Sequence, residues 1–268
     1  MQYLKILILY LFIINTPNAK TLVIDSLSDF SISGYQSTGD QYGIYITNSN
    51  RIKLENVKIN NAETAVFIKN SDDVLIDGCT IINSDFGIRL SVTHSTNRVV
   101  INNCRIESIK FDGVSAPQRS GNNVNHHNLV ISNNHFIDIG TELDGKYHCI
   151  YVQSYGYLIE NNDIENCRDG NGISVRADGI VRFNRIYGAK KSGIRYYADH
   201  KRGLSPLIIE SNTICNSDEH SISVLPTPNG IDDSWVVKQI HIKNNTVKNF
   251  NVDLLDRSVL FENNNKCD

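Results

Sequence analysis

Two short patterns recur along the chain, and their recurrence limits the fold more than any other feature of the sequence. In the first, a small residue precedes Ile or Val and a brief alternation: GIYI at 43, AVFI at 65, GIRL at 87, GVSA at 113, CIYV at 149, GISV at 172, GIRY at 193 and SISV at 221. In the second, an apolar strand runs into Asn-rich residues and closes on Ile59, Ile81, Ile106, Phe136, Ile164, Ile186, Ile214 and Val247; a last copy, LFENNN, covers 260–265. The closing positions advance by 22, 25, 30, 28, 22, 28 and 33 residues. Constant strand cores with a variable period mean coils of one cross-section with loops inserted at the corners. Each unit is too small to bury a core alone, so the units must stack. The chain has 33 Asn in 268 residues. Asn disfavours helix and favours turns, which suits many short strands and tight corners.

The expected architecture is all-β: a right-handed, single-stranded parallel β-helix of about nine coils, its hand set by the right-handed rule for parallel crossovers. The units resemble the parallel β-helix repeats of the pectin-lyase-like superfamily over about residues 40–265. The resemblance specifies fold, and it implies no single function, because lyases, hydrolases, epimerases, tailspikes and binding proteins share it. The column Asn134, Asn162, Asn184, Asn212, Asn245 and Asn264 reads as a structural ladder of stacked amides. The formal glycosylation sequon Asn244-Asn245-Thr246 falls within that ladder, so burial is expected for it.

Residues 1–19 read as a secretory signal: one Lys, an apolar run from Ile6 to Ile14, then NTPNA. Residues 20–268 then form the β-helix domain. The run is too short for a stable membrane span, and export to the periplasm, the cell surface or the medium follows. A net charge of -3 argues against a nucleic-acid partner. Cys79 and Cys104 share a column, within disulfide range of each other. Two stacked thiols are the slightly favoured reading, with a disulfide as the alternative. Cys149, Cys167, Cys215 and Cys267 lack metal-type spacing; no metal and no cofactor are expected. The last coil ends without an evident cap, and a partner or second copy could cover its strand edges.

Aligning the coils gives a surface map. The outward column after each inward Ile or Val is Tyr45, Phe67, Arg89, Ser115, Tyr151, Ser174, Arg195 and Ser223. Two residues on come Thr47, Lys69, Ser91, Pro117, Gln153, Arg176, Tyr197 and Leu225, and just before the strand come Tyr42, Thr64, Phe86, Asp112, His148, Asn171, Ser192 and His220. The corners after the Tyr151 and Arg176 strands are short, and those at 117–128, 198–206 and 225–238 are long. Short corners between long ones make a walled groove, and function concentrates on such loops. The candidate catalytic residues are His148, Tyr151, Arg176, Arg195 and Tyr197. The candidate substrate contacts are Asp112, Arg119, Gln153, Asp199, His200 and Arg202. His126 and His127 read as a solvated loop. Arg176 and Arg195 read as an unpaired cation pair on the groove floor, which calls for an anion.

Such a floor suits an acidic polysaccharide. Breaking a uronate chain by β-elimination needs a cation on the carboxylate, a base for the neighbouring carbon-bound proton and an acid for the leaving oxygen. Arg176 and Arg195 fit the first role, His148 or Tyr197 the second and Tyr151 the third. The calcium-type pectate lyase pattern, the polygalacturonase motifs and the epimerase DPH segment are absent. The reading is therefore a lyase of an acidic, uronate-containing glycan. The alternative is a non-catalytic β-helix that binds glycan or a surface, as adhesins and tail fibres do.

Overall fold

The computed structural model describes residues 21–118, 126–198, 205–225, 237, 239–252 and 258–267. The proposed signal segment, Arg119, Asp199, His200 and Arg202 lie outside them. The strands pair in parallel and wind into a right-handed β-helix with three faces, ten strands deep rather than about nine. Two 12-residue strands, Gln36–Thr47 and Lys58–Lys69, turn a corner and serve two faces each. Among the described residues no helix is long and apolar enough to cross a membrane.

Alternation along each strand sends every second side chain inward. On the first face Ile44, Val66, Ile88, Val114, Ile150, Ile173, Ile194 and Ile222 pair in register and are fully buried. On the third face Ile59, Ile81, Ile106, Phe136, Ile164, Ile186, Ile214 and Val247 do the same. The core is thus a set of aliphatic columns, each residue packed on its copies above and below. The small residue that opens each first-face strand has a steric cause. A Cβ at Gly87 would lie 2.1 Å from Gly113 O, and one at Gly193 2.1 Å from Ile214 Cγ2.

The asparagine ladder holds one corner. Asn134 Oδ1 accepts the Cys104 N–H at 2.9 Å, and the N–H of Asn134 donates to Asn162 Oδ1 at 3.1 Å. The relation repeats through Asn184, Asn212, Asn245 and Asn264. Each Nδ2 from Asn134 to Asn245 also donates to the next Asn Oδ1, so the amides are hydrogen-bonded in both directions. In the two earlier coils the ladder position is filled by Cys79 and Cys104, which are disulfide-bonded. Cys149–Cys167 and Cys215–Cys267 are bonded as well, with Cα separations of 5.8 and 6.2 Å. The thiol reading is therefore corrected: coil stacking brings each pair within bonding range.

The residue before each ladder position turns the corner in the left-handed region, as at Asn133, Asn161, Asn244 and Asn263. This corrects the expectation for the sequon. Asn244 is the exposed corner residue, and the buried ladder residue is Asn245. Phe183 occupies the same corner with φ 55° and is 51% exposed. A bulky residue there carries backbone strain, which Asn tolerates far better. Phe183→Asn is expected to raise stability by about 1 kcal/mol, since little burial is lost and the exposed contact with Arg182 is weak. An unchanged or lower denaturant midpoint would count against this account of the corner.

Candidate functional site

The first-face columns meet in a cleft of about 350 Å³ over the middle coils. Its lining includes Asp112, His148, Tyr151, Arg176, Arg195 and Tyr197, together with Gly145, Lys146, Tyr147, Asn171 and Lys191. Six of the seven described candidates therefore converge. Gln153 does not line the cleft, and its Oε1 accepts the Gln118 N–H at 2.6 Å.

The outward column packs large against small. Tyr151 pairs in register with Ser115 and Ser174, and Ser174 with Arg195, and these serines are buried under their neighbours. That packing leans the Arg176 guanidinium over Tyr151 at 5.0 Å and Tyr197 at 5.3 Å, with Nη1 donating to Ser174 Oγ at 2.7 Å. Cation–π contact and this bond fix the plane of the charge. Arg195 is a correction: its Nη2 meets Glu219 at 2.9 Å, so the two arginines are not an unpaired pair. Glu219 sits one coil on, where its side chain reaches back along the axis.

His148 is held at three points. Its main-chain N–H donates to Asp112 Oδ1 at 2.8 Å, its Nδ1 accepts the Asn171 N–H at 3.0 Å, and its ring lies 5.4 Å from that of Tyr151. Burial, then the charges of Arg176, Lys191 and Arg195, hold its pKa well below the usual 6.5. Asp112 moves the other way, pushed up to about 7 by burial against the opposing bond from His148 and the charge of Arg89.

The 140–147 loop enters this coil just before His148, and what anchors it was not legible in the sequence. The buried Asp169 carboxylate accepts the N–H groups of Gly145, Lys146 (2.7 Å) and Tyr147 (2.8 Å), and Lys191 Nζ donates to Gly145 O. These bonds pin the 140–147 loop against the cleft. Tyr147 then packs against Phe111, and Phe111 against Phe86, each pair with tilted rings. His126 is also corrected. It is fully buried, bonded to Thr96 Oγ1 at 3.0 Å and Pro117 O at 3.3 Å, and burial lowers its pKa to about 4. His127 beside it is exposed.

Away from the cleft, His135, Asp163 and Glu165 bring ligand-type atoms within 4.8 Å of one another. Arg185 bridges the two carboxylates at 2.6 and 2.7 Å, so both are already engaged with a guanidinium.

Comparison with known proteins gives the fold and little more. A family model described as "Right handed beta helix region" matches residues 14–142. No curated protein matches the sequence. Among solved structures, an alginate lyase from Paenibacillus sp. str. FPU-7 is similar at TM-score 0.59 and 13% identity, covering 94% of each chain. The periplasmic alginate epimerase AlgG is similar at TM-score 0.49 and 10% identity, over 93% of this chain and 73% of its own. The Streptococcus pneumoniae surface protein and adhesin PfbA gives TM-score 0.45 and 14% identity, over 89% and 74%. At these identities the likeness concerns the β-helix alone.

Proposed function

We propose that the chain is an exported lyase that cleaves an acidic, uronate-containing glycan by β-elimination. The observation that carries this reading is the grouping of Arg176, Lys191 and Arg195 with two phenols, Tyr151 and Tyr197, in one cleft. Arg176 neutralises the carboxylate of the reacting sugar, which makes the neighbouring carbon-bound proton easier to remove. Tyr197, reacting as its phenolate, takes that proton, and Tyr151, as the neutral phenol, gives one to the leaving oxygen. Fold similarity over 94% of an alginate lyase agrees with this class. Three disulfides agree with an oxidising compartment, and so with export by the 1–19 segment.

The test is absorbance at about 235 nm during incubation with a panel of uronans, since elimination creates an unsaturated, absorbing sugar. Rising absorbance with at least one uronan is the expected result. Saturable binding without absorbance would replace the lyase with the glycan-binding reading. The pH dependence has a defined sign. Asp112 is protonated below about pH 7 and ionised above it. Ionised, it repels the substrate carboxylate and offsets a cleft cation. KM is therefore expected to rise as pH increases through about 7.

A further inference from the structure

We infer that His148 acts in the cleft as an uncharged hydrogen-bond donor through Nε2, its acceptor being the substrate carboxyl oxygen that gains negative charge during elimination. The donor role rests on the geometry of the ring; the identity of its acceptor rests on the uronan reading.

A neutral imidazole has one nitrogen that donates and one that accepts. The Asn171 main-chain N–H points at Nδ1 from 3.0 Å, and Asn171 Nδ2 stands 3.5 Å from the same atom. A main-chain N–H cannot reverse its direction as a hydroxyl can. Nδ1 must therefore present a lone pair, which places the proton on Nε2. Packing fixes the ring as well. A Cβ at Gly170 would lie 2.3 Å from Nδ1 and 2.9 Å from Cε1, so this edge of the imidazole is pressed against main chain. The Nε2 side is left toward the cleft that His148 lines.

A second proton has no support. The charged groups facing the ring are Arg176, Lys191 and Arg195, and all oppose it. Asp112 Oδ1 accepts the main-chain N–H of His148, not a ring proton. Tyr151 offers the ring an aromatic neighbour. With Nδ1 engaged and Nε2 protonated, the ring is not placed to be the base, and donation is the chemistry left to it.

In the elimination the bond from the acidic carbon to hydrogen breaks, and the proton goes to Tyr197 reacting as its phenolate, which becomes the phenol. The electron pair moves into the carboxyl group. It then returns to form the carbon–carbon double bond as the glycosidic carbon–oxygen bond breaks, and the leaving oxygen takes the Tyr151 proton. His148 keeps its proton throughout. Its hydrogen bond strengthens while charge sits on the carboxyl oxygens, which lowers the barrier.

Two measurements test this. Nitrogen-15 NMR of the imidazoles, with the His148 signals identified by their loss in His148→Gln, reads the tautomer without any turnover. An Nε2-protonated ring unchanged from pH 8 to pH 5.5 is expected. A proton on Nδ1, or titration near 6.5, overturns the assignment even if a uronan is cleaved. On the uronan cleaved, His148→Gln retains a neutral N–H donor and is expected to stay within about tenfold of wild type, whereas His148→Ala loses about 10²-fold. Equal loss in two folded variants overturns the donor role in favour of a base. If no uronan yields absorbance, the lyase reading fails and the NMR result still decides the donor assignment.

Discussion

Arg176→Ala is expected to lower turnover of the cleaved uronan by about 10²-fold or more, with a fall in melting temperature of only about 2–4 °C. The guanidinium lies over two tyrosine rings and is steadied by Ser174 Oγ, so under the proposed lyase reading it would meet a bound carboxylate already oriented. On that reading its removal would take away the cation that stabilises charge gained in the transition state. The structural loss includes the hydrogen bonds of Nη1 to Ser174 Oγ and Val175 O and two cation–π contacts at a half-buried position, about 1 kcal/mol. Arg176→Lys keeps the charge without the fixed plane and should fall between the two. Arg195→Ala should do less than Arg176→Ala, because the Arg195 charge is shared with Glu219. Rates at 235 nm with matched thermal melts measure both effects. Turnover equal to wild type in folded Arg176→Ala would remove this residue from the mechanism.

The columns were legible because a β-helix writes its geometry into sequence spacing. The residue after each inward Ile or Val faces out, so aligning coils places Tyr151 beside Ser174 and Ser174 beside Arg195. What spacing does not carry is where a side chain reaches. Glu219 is one residue before a mapped column, and nothing in its position tells that it bonds Arg195 on the coil below. Asp169 lies in a corner, outside every mapped column. Its role is set by the 140–147 loop folding onto it, an insertion with no repeat to align. His126 failed for a related reason. A long corner reads as solvated, yet His126 is a strand residue paired with Thr96 and hydrogen-bonded to Pro117 O. The cysteines show the limit from the other side. Column position allowed both thiols and a disulfide at Cys79–Cys104, while Cys149–Cys167 joins the start of a first-face strand to the end of a third-face strand, which column position alone does not reveal.

Ile173→Asp is expected to cost at least about 4 kcal/mol, much of the roughly 5–15 kcal/mol that holds a domain of this kind together. Ile173 is fully buried between Ile150 and Ile194, in a column that is aliphatic on either side. A carboxylate there must be desolvated with no cation within the column, or take up a proton at a cost of similar order. Ile173→Val removes one methylene and should cost only about 1 kcal/mol, which separates loss of packing from burial of charge. Arg176 directly follows the strand Ile173–Val175, three residues on from Ile173, and lines the cleft. The two substitutions therefore separate the inward and outward sides of one short stretch of chain. Arg176→Ala should leave the melt nearly intact and abolish most chemistry. Ile173→Asp should remove the cooperative melt while altering no group that lines the cleft. A normal thermal transition for Ile173→Asp would mean that the inward and outward positions of this strand are exchanged. The cleft built from its outward residues would then be lost with them.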